Sequence, residues 1–337
     1  MKTMRLGQGG LIVSRLGLGT MPMGSQLDET MSHRILDTAH AGGISFIDTA
    51  EMYPSPPDAA THGRSEEIVG SWLRSKPRDA IVLATKLVGP ADGDIISGRH
   101  IRGGLTTLDR HHIMRAVEAS LKRLGTDYID LYQTHWPDRS VPLELQLEAM
   151  ERLIEAGKIR CFGVSNESAW GVTRMAALAE FRGLPRLVST QNLLNMLQRA
   201  AEASVLEACL REQVGFIAFS PMAMGALTGK YSNGKLPTGA RLTEFERYRH
   251  AYGSEALLQR ADRYVALAHE LGMAPSVLAV AWVLARPGVA SILSTANDAA
   301  QLERFLAAGE VSLDASVEAR IDAIRDADDP AWSRRLY

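Results

Sequence analysis

Three ionisable residues stand where consecutive predicted strands end, and a tyrosine follows the first of them. Asp48 lies in FIDTAEMY, five residues before Tyr53, while Lys86 lies in LATKL and His135 in YQTHWPD. An aspartate at the end of a buried strand is costly unless it meets a cation, so we expect Asp48 to pair with Lys86. The Lys86 ammonium, placed near the Tyr53 hydroxyl, would stabilise the phenolate and lower a pKa that is about 10 in water.

These four residues predict carbonyl reduction, in which hydride adds to carbon and a proton adds to oxygen. Tyr53 would give the proton, and His135 would donate a hydrogen bond that orients the same carbonyl oxygen. Taken alone, Tyr53 could be a surface ring, Lys86 and Asp48 a structural ion pair, and His135 a core histidine. Their joint placement at three successive strand ends favours the catalytic interpretation. Trp136 either forms a wall of the substrate pocket or packs under a long loop.

The elements that must position these residues follow from hydrophobic periodicity, because short apolar runs alternate with amphipathic stretches of helical period. The predicted strands cover 16–20, 44–48, 81–86, 129–135, 159–165, 187–191, 216–220 and 289–295. The predicted helices cover 28–41, 65–75, 111–125, 142–156, 168–182, 201–213, 255–271, 275–285, 298–308 and 314–327. Eight such alternations predict an α/β fold of the (β/α)8 TIM barrel type.

Three segments outside this alternation complete the expected barrel. Residues 5–13 come too early for the barrel wall and predict a β-hairpin that turns at Gly9 and Gly10 and plugs the barrel floor. The connections 87–110 and 222–254 are much longer than the usual two to six residues or so. Both follow strands, so they leave the C-terminal face, where barrels of this kind place their chemistry.

Length and composition exclude several classes of protein. The chain of 337 residues fits one barrel domain over 1–337, and its 46% hydrophobic and 23% charged residues exclude a disordered chain. The net charge of −2 provides no field for a nucleic-acid or lipid partner, and no apolar run approaches the length of a membrane span. Cys161 and Cys209 cannot form a disulfide framework, so we expect a cytoplasmic protein. The oligomeric state stays open.

Further motifs surround the four residues in a fixed order along the chain. Gly19 and Thr20 end the first strand, GVSN stands at 163–166, QN at 191–192 and SPMAMGALTGKY at 220–231. Together with the Asp–Tyr–Lys–His set, this order resembles the aldo-keto reductase superfamily over nearly the whole chain, most closely its bacterial Tas-like NADP(H)-dependent branch. The resemblance implies a reversible, NADPH-dependent reduction of an aldehyde or ketone to an alcohol.

The same resemblance implies a set of cofactor contacts. Those at the nicotinamide end are Ser165, Asn166 and Gln191 on the carboxamide, Phe219 against the ring, and Gly19 with Thr20. Those at the pyrophosphate are Ser220, Met222, Gly225 and Lys230. Lys230 and Arg241 belong to a Gly-rich polar loop, where solvation and contact with a phosphate are both open.

The stretch after the eighth strand departs from the family pattern. Many members have IPGxRxxxQLxxN there, in which the Arg grips the 2′-phosphate, whereas this chain has LSTANDAAQLERFL. Thr295, Asn297 and Phe305 replace the Gly, Arg and Asn, whereas Gln301 is retained and Arg304 offers a cation one position earlier. The cofactor contacts implied here are Thr295, Asn297, Gln301 and Arg304. We expect a moderate preference for NADPH, with NADH also accepted.

Two other functional classes compete with carbonyl reduction. The family that the chain resembles includes barrels that bind cofactor tightly and turn over slowly, so a redox-sensing or regulatory subunit is the alternative. A metal-dependent barrel hydrolase would need His-x-His at the end of an early strand. His62, His111 and His112 do not provide that pattern, so we expect no metal.

Overall fold

The computed structural model describes residues 1–90, 98–104 and 106–328. The strands in these ranges are β1 (Thr3–Arg5), β2 (Ile12–Ser14), β3 (Leu16–Gly19), β4 (Phe46–Asp48), β5 (Val82–Leu87), β6 (Ile129–Thr134), β7 (Ile159–Ser165), β8 (Ser189–Leu193), β9 (Gly215–Phe219) and β10 (Val289–Ser294). β1 and β2 pair antiparallel, whereas β3 to β10 form a closed barrel of parallel strands in which β10 pairs with β3. The predicted (β/α)8 barrel is therefore confirmed.

Helices alternate with the barrel strands. They are α1 (Glu29–Ala41), α2 (Arg64–Leu73), α3 (Arg110–Leu124), α4 (Leu143–Glu155), α5 (Ala169–Arg182), α6 (Val205–Glu212), α7 (Arg241–Glu244), α8 (Glu246–Tyr252), α9 (Glu255–Glu270), α10 (Pro275–Leu284), α11 (Ala299–Ala308) and α12 (Ala315–Asp328). Capping residues fix several helix ends. At the start of α1 the Asp28 carboxylate accepts a hydrogen bond of 2.8 Å from the Met31 N–H, and Gly183 ends α5 with a left-handed φ of 68°. Among the described helices none is by itself long and apolar enough to cross a membrane, and α9 with α10 meets that test only as a pair bent by 97°.

The N-terminal hairpin packs into the barrel interior, as expected. Leu6, Leu11 and Val13 are buried in one apolar cluster with side chains of the barrel strands. Gly9 allows this close approach, because a Cβ at that position would lie 2.3 Å from Cγ1 of Val188. The prediction placed the whole hairpin within 5–13, whereas the paired strands are Thr3–Arg5 and Ile12–Ser14. The residues between these strands form the part of the hairpin that enters the barrel.

The long connection after β9 contains two helices that the sequence prediction missed. α7 and α8 have only four and seven residues, too few for a helical period to stand out. They are held by packing, because Leu242 and Tyr252 are buried against the core. The other long connection, predicted over 87–110, lies partly outside the described residues at 91–97 and 105; its described part includes a 3₁₀ segment at Gly98–Gly104.

Strand boundaries differ from the prediction by one or two residues at most ends. β4 begins at Phe46 instead of 44, and β8 covers Ser189–Leu193 instead of 187–191. The reason is register: β8 is bounded by pairing with Gly163 of β7 at one end and Phe219 of β9 at the other, which apolar periodicity does not encode.

Candidate active site

Asp48 and Lys86 form a buried ion pair at the C-terminal mouth of the barrel. Asp48 ends β4 and Lys86 lies near the end of β5, and both side chains are almost fully buried. Lys86 Nζ lies 2.5 Å from Oδ2 of Asp48 and 2.8 Å from the carbonyl oxygen of Thr49. Burial lowers the pKa of Lys86, but the Asp48 carboxylate and the Tyr53 hydroxyl together raise the pKa above its ordinary value. The pair expected from the sequence is present, and Lys86 stays charged.

Two amides hold the other oxygen of the Asp48 carboxylate. Nε2 of Gln133 and Nε2 of Gln191 each donate to Oδ1 of Asp48 at 3.0 Å. Gln191 Nε2 also donates to Oε1 of Gln133 at 3.3 Å. The sequence reasoning missed Gln133. Its signal was the period of a strand, because Gln133 stands two residues before His135, which directly follows β6, so the two side chains are expected on the same side of the chain.

Tyr53 lies over this pair. Lys86 Nζ is 5.0 Å from the centroid of the Tyr53 ring, and the ring meets that of His135 edge-on, with 5.7 Å between centroids. Burial raises the pKa of Tyr53 above its ordinary value, and the opposing effect of the Lys86 charge is not large enough to reverse this. The expected lowering of the pKa is therefore wrong for the net value, although the Lys86 charge acts in the expected direction.

His135 is a neutral imidazole in this setting. Burial, and to a smaller extent the Lys86 charge, holds the pKa of His135 well below its ordinary value. Within the described part of the chain, Nδ1 of His135 has no hydrogen-bond partner. The Trp136 ring stacks on the imidazole with 4.0 Å between centroids and packs against the apolar cluster of residues 50, 52, 88 and 101. Trp136 therefore lies beside His135 and packs against the cluster that contains Ile101 of the Gly98–Gly104 segment.

The residues implied for the carboxamide lie together on the next strands. Ser165 Oγ donates to the carbonyl oxygen of Gln191 at 2.9 Å, across the β7–β8 pair. Asn166 follows β7 with a left-handed φ of 55°, and its Nδ2 donates to the carbonyl oxygen of His135 at 3.0 Å. Because the N–H groups of Gln191 and Asn166 are used internally, their amide oxygens are the atoms left for a ligand.

The turn after β9 has an unusual backbone. Phe219 is half-buried at the end of the strand, and Ser220, Ala223, Met224 and Gly225 all have positive φ angles between 50° and 98°. A turn of this kind can aim successive N–H groups at an anion. The four residues implied for the pyrophosphate, Ser220, Met222, Gly225 and Lys230, thus belong to one turn. A Cβ at Gly225 would lie 3.2 Å from Cε of Lys230, so glycine gives the lysine stem room there.

Three cations lie between this turn and the end of β10: Lys230, Arg241 and Arg304. Nη2 of Arg241 donates to Oγ1 of Thr295 at 2.8 Å. Desolvation, with the positive charges of Arg241 and Arg304, lowers the pKa of Lys230, and desolvation lowers that of Arg241. In the ranges that the structure describes, none of the three forms an ion pair. The charge of Asp298 acts on Lys230 in the opposite direction, so the group as a whole keeps a net positive charge that suits a phosphate-bearing ligand. Arg241, left open by the sequence, lies beside the other two.

The remaining implied contacts lie at the ends of β3 and β10. Thr20 bonds to the carbonyl oxygen of Asp48 through its N–H at 3.0 Å, and a Cβ at Gly19 would meet Cγ2 of Thr295 at 3.4 Å. Gln301 is engaged locally: its Oε1 accepts from the Asn297 N–H at 3.1 Å and its Nε2 donates to Asp298 at 2.7 Å. These two contacts close the first turn of α11 and leave Arg304 exposed one turn further on.

The site also includes a pair that the sequence reasoning did not find. Glu51 is buried two residues before Tyr53, and Arg102 of the Gly98–Gly104 segment donates to both of its carboxylate oxygens, at 2.7 and 3.1 Å. Nothing in the local sequence around Glu51 indicates a partner fifty-one residues away. Among the described residues no group of three or more His, Cys, Asp or Glu side chains could hold a metal ion.

A parallel barrel whose mouth carries a buried Asp–Lys pair beneath a tyrosine and a histidine, next to a group of cations, defines an NAD(P)H-dependent oxidoreductase. The chain belongs to the aldo/keto reductase family, whose model matches residues 15–326.

Relatives of known name cover almost the whole chain. "Protein tas" of Escherichia coli (strain K12) is 40% identical over 95% of this chain and 96% of its own length. "Versiconal hemiacetal acetate reductase" of Aspergillus parasiticus is 33% identical over 93% of this chain and 94% of its own. A "Probable voltage-gated potassium channel subunit beta" of Arabidopsis thaliana is 32% identical over 92% of each chain. The resemblance to the Tas-like branch is confirmed.

Proposed function

We propose that the protein reduces an aldehyde or ketone to an alcohol, reversibly and with NADPH, and that Tyr53 donates the proton. The observation that carries this proposal is the position of the Tyr53 ring, 5.0 Å from Lys86 Nζ and in edge contact with His135. A half-buried tyrosine beside a fixed ammonium can give up and regain a proton at one place. When bound, the nicotinamide cofactor supplies the hydride.

Each residue of the cluster has a separate part in the proposal. Asp48 keeps Lys86 charged and in place. The Lys86 charge stabilises the phenolate that forms as Tyr53 releases its proton, which offsets part of the cost of burial. His135, kept neutral by burial, holds the carbonyl oxygen towards the Tyr53 hydroxyl. Trp136, stacked on His135, forms a wall of the carbonyl pocket.

The cofactor would lie across the β7 to β10 side of the mouth. We assign its nicotinamide end to Ser165, Asn166, Gln191, Phe219, Gly19 and Thr20, and its pyrophosphate to Ser220, Met222, Gly225 and Lys230. For the 2′-phosphate we favour Arg304 and Arg241, with Thr295 beside them and the neutral side-chain amide of Asn297 as a weaker contact. The amide of Gln301 is already bonded to the Asn297 backbone N–H and to Asp298. Asp298 opposes a phosphate at this turn, which supports a moderate preference for NADPH.

The test is a steady-state assay of NADPH oxidation with a panel of aldehydes and ketones. Tyr53→Phe should lower kcat by about 10²–10⁴-fold and keep the affinity for cofactor, because it removes one hydroxyl and little volume. Tyr128→Phe is the matched control, since it also removes a single hydroxyl, one that bonds to Asp79 at 2.8 Å outside the mouth. A Tyr53→Phe variant with full turnover would move the proton donor elsewhere.

A second candidate is a regulatory subunit that binds cofactor and turns over negligibly. The observation in its favour is the name of the Arabidopsis relative, a probable channel subunit. The same assay separates the two: a regulatory protein would bind NADPH tightly in a titration and oxidise it with none of the carbonyls. The intact cluster of four residues favours the enzyme.

The proposal extends to location and organisation. The thiols of Cys161 and Cys209 are both free and buried, which supports a cytoplasmic location. We further propose that 1–337 forms one domain with a small-molecule carbonyl as its substrate. Limited proteolysis and cell fractionation test these two points.

A further inference from the structure

We propose that Gln133 is a positioning residue, which fixes the Asp48 carboxylate so that its second oxygen faces Lys86. The inference rests on the proposed function. It starts from an unusual choice of residue, because a fully buried glutamine in a barrel wall is costly unless both ends of its amide are bonded.

The partners of the amide indicate what it is for. Among the described residues, the side chain of Gln133 bonds only to Asp48 and Gln191: its Nε2 donates to Oδ1 of Asp48 and its Oε1 accepts from Nε2 of Gln191. No backbone group uses the amide, so the strand itself would be served as well by an apolar side chain. The glutamine is therefore explained by the carboxylate that it contacts.

The geometry gives the amide its effect on Lys86. Oδ1 of Asp48 receives two N–H groups, from Gln133 and Gln191, while Oδ2 receives the Lys86 ammonium at 2.5 Å. Rotation of the carboxylate would break all three contacts. Gln133 also lies directly opposite Lys86 in the β5–β6 register, so the two side chains reach Asp48 from neighbouring strands. Without Gln133, the Asp48 carboxylate keeps one amide donor, that of Gln191. The carboxylate is then less firmly oriented, and so is the Lys86 ammonium that it holds beneath Tyr53.

The experiment compares Gln133→Met with Gln146→Met. The first keeps the length of the stem and removes the amide. The second makes the same change in a buried glutamine of α4, whose Nε2 donates to the carbonyl oxygens of Asp138 and Val141 and not to Asp48. We expect Gln133→Met to lower kcat by about 10- to 100-fold, with the dissociation constant for NADPH within about threefold of wild type. Gln146→Met should lower stability without this loss of kcat.

A second readout needs no turnover. Urea unfolding of the free protein is measured for Gln133→Met, Asp48→Asn and the double variant, and again with Gln146→Met in place of Gln133→Met. The Gln133 cycle should deviate from additivity by about tenfold in the unfolding constant, and the Gln146 cycle should be additive. If Gln133→Met does not fold, Gln133→Asn, which keeps an amide but is one methylene too short, replaces it.

The outcomes separate this inference from the proposed function. A Gln133 cycle that is additive, or a Gln133→Met variant with the kcat of wild type, would overturn the role of Gln133. A wild-type protein that reduces no carbonyl would overturn the proposed function, while the unfolding cycle would still decide whether Gln133 holds Asp48.

Discussion

Replacing Lys86 with methionine tests the electrostatic account of the site most directly. The change keeps most of the stem volume and removes the ammonium, which donates to Asp48 at 2.5 Å and to the Thr49 carbonyl at 2.8 Å. It leaves the Asp48 carboxylate buried and without a counter-charge. Breaking a buried pair in this way costs about 3–5 kcal/mol, and we expect the lower end because the amides of Gln133 and Gln191 still bond to Asp48. At about 2 °C per kcal/mol for a chain of this size, Tm should fall by about 6 °C.

The effect on turnover should be larger than the effect on folding. The Lys86 charge is what lowers the pKa of Tyr53 against the effect of burial, so its loss should raise that pKa further and lower kcat by about 10²-fold or more. Lys76→Met is the matched control. Its ammonium pairs with Asp37 at 2.7 Å on a more exposed surface, and the loss should cost at most about 1 kcal/mol and no turnover.

The double variant Lys86→Met with Asp48→Asn separates stability from catalysis. It removes the unpaired charge, so most of the lost Tm should return while kcat stays low. The pH dependence of the wild type gives a further check. Because the pKa of Lys86 is raised on folding, the pair stabilises at lower pH and is lost only as the pH rises through that pKa, above about 10.5. A Lys86→Met variant with the rate and pH profile of wild type, or a double variant that regains turnover with Tm, would refute the reasoning.

Two further predictions concern charges outside this pair. Wild type should bind NADPH about a hundredfold more tightly than NADH at low salt if Arg304 makes a charged hydrogen bond, and Arg304→Ala should reduce this to less than about tenfold. Dissociation constants at two salt concentrations check this, and unchanged discrimination in Arg304→Ala would move the role to Arg241. Arg102→Met should destabilise the protein by about 3 kcal/mol in urea unfolding, because it leaves buried Glu51 unpaired. Arg211→Met, which breaks an exposed pair on α6, should cost at most about 0.5 kcal/mol and serves as its control.

The sequence predicted the barrel and the cluster for the same physical reason. Parallel strands bring their carboxyl ends to one mouth, so an aspartate, a lysine and a histidine at three successive strand ends had to lie close together. The observed pair of Asp48 with Lys86, and the contact of Tyr53 with His135, follow from that rule. Periodicity over long segments was equally informative. Among the described α-helices it missed α7 and α8, which are shorter than two or so helical turns.

Contacts between side chains far apart in the chain could not be predicted. Glu51 meets Arg102 and Arg241 meets Thr295 only because loops of particular length return to the mouth. The direction of the pKa shift of Tyr53 was missed for a related reason. A lysine neighbour can be inferred from spacing, but the depth of burial depends on how the surrounding loops pack, and burial decided the sign.

Gln191 links the two halves of the barrel mouth. The proposed proton chemistry lies on β4 to β6 and the proposed cofactor contacts on β7 to β10, yet Gln191 of β8 donates across the barrel to Asp48 of β4. Its N–H groups are both used by Asp48 and Gln133, so only its amide oxygen is left for the carboxamide. A substitution at Gln191 would therefore have two effects: it would remove a hydrogen bond from the Asp48 carboxylate, and it would weaken any contact with the cofactor. A measurement of cofactor binding at saturating carbonyl cannot separate these two effects. Urea unfolding of the free protein can, because a double-mutant cycle of Gln191→Met with Asp48→Asn isolates the hydrogen bond between Gln191 and the carboxylate.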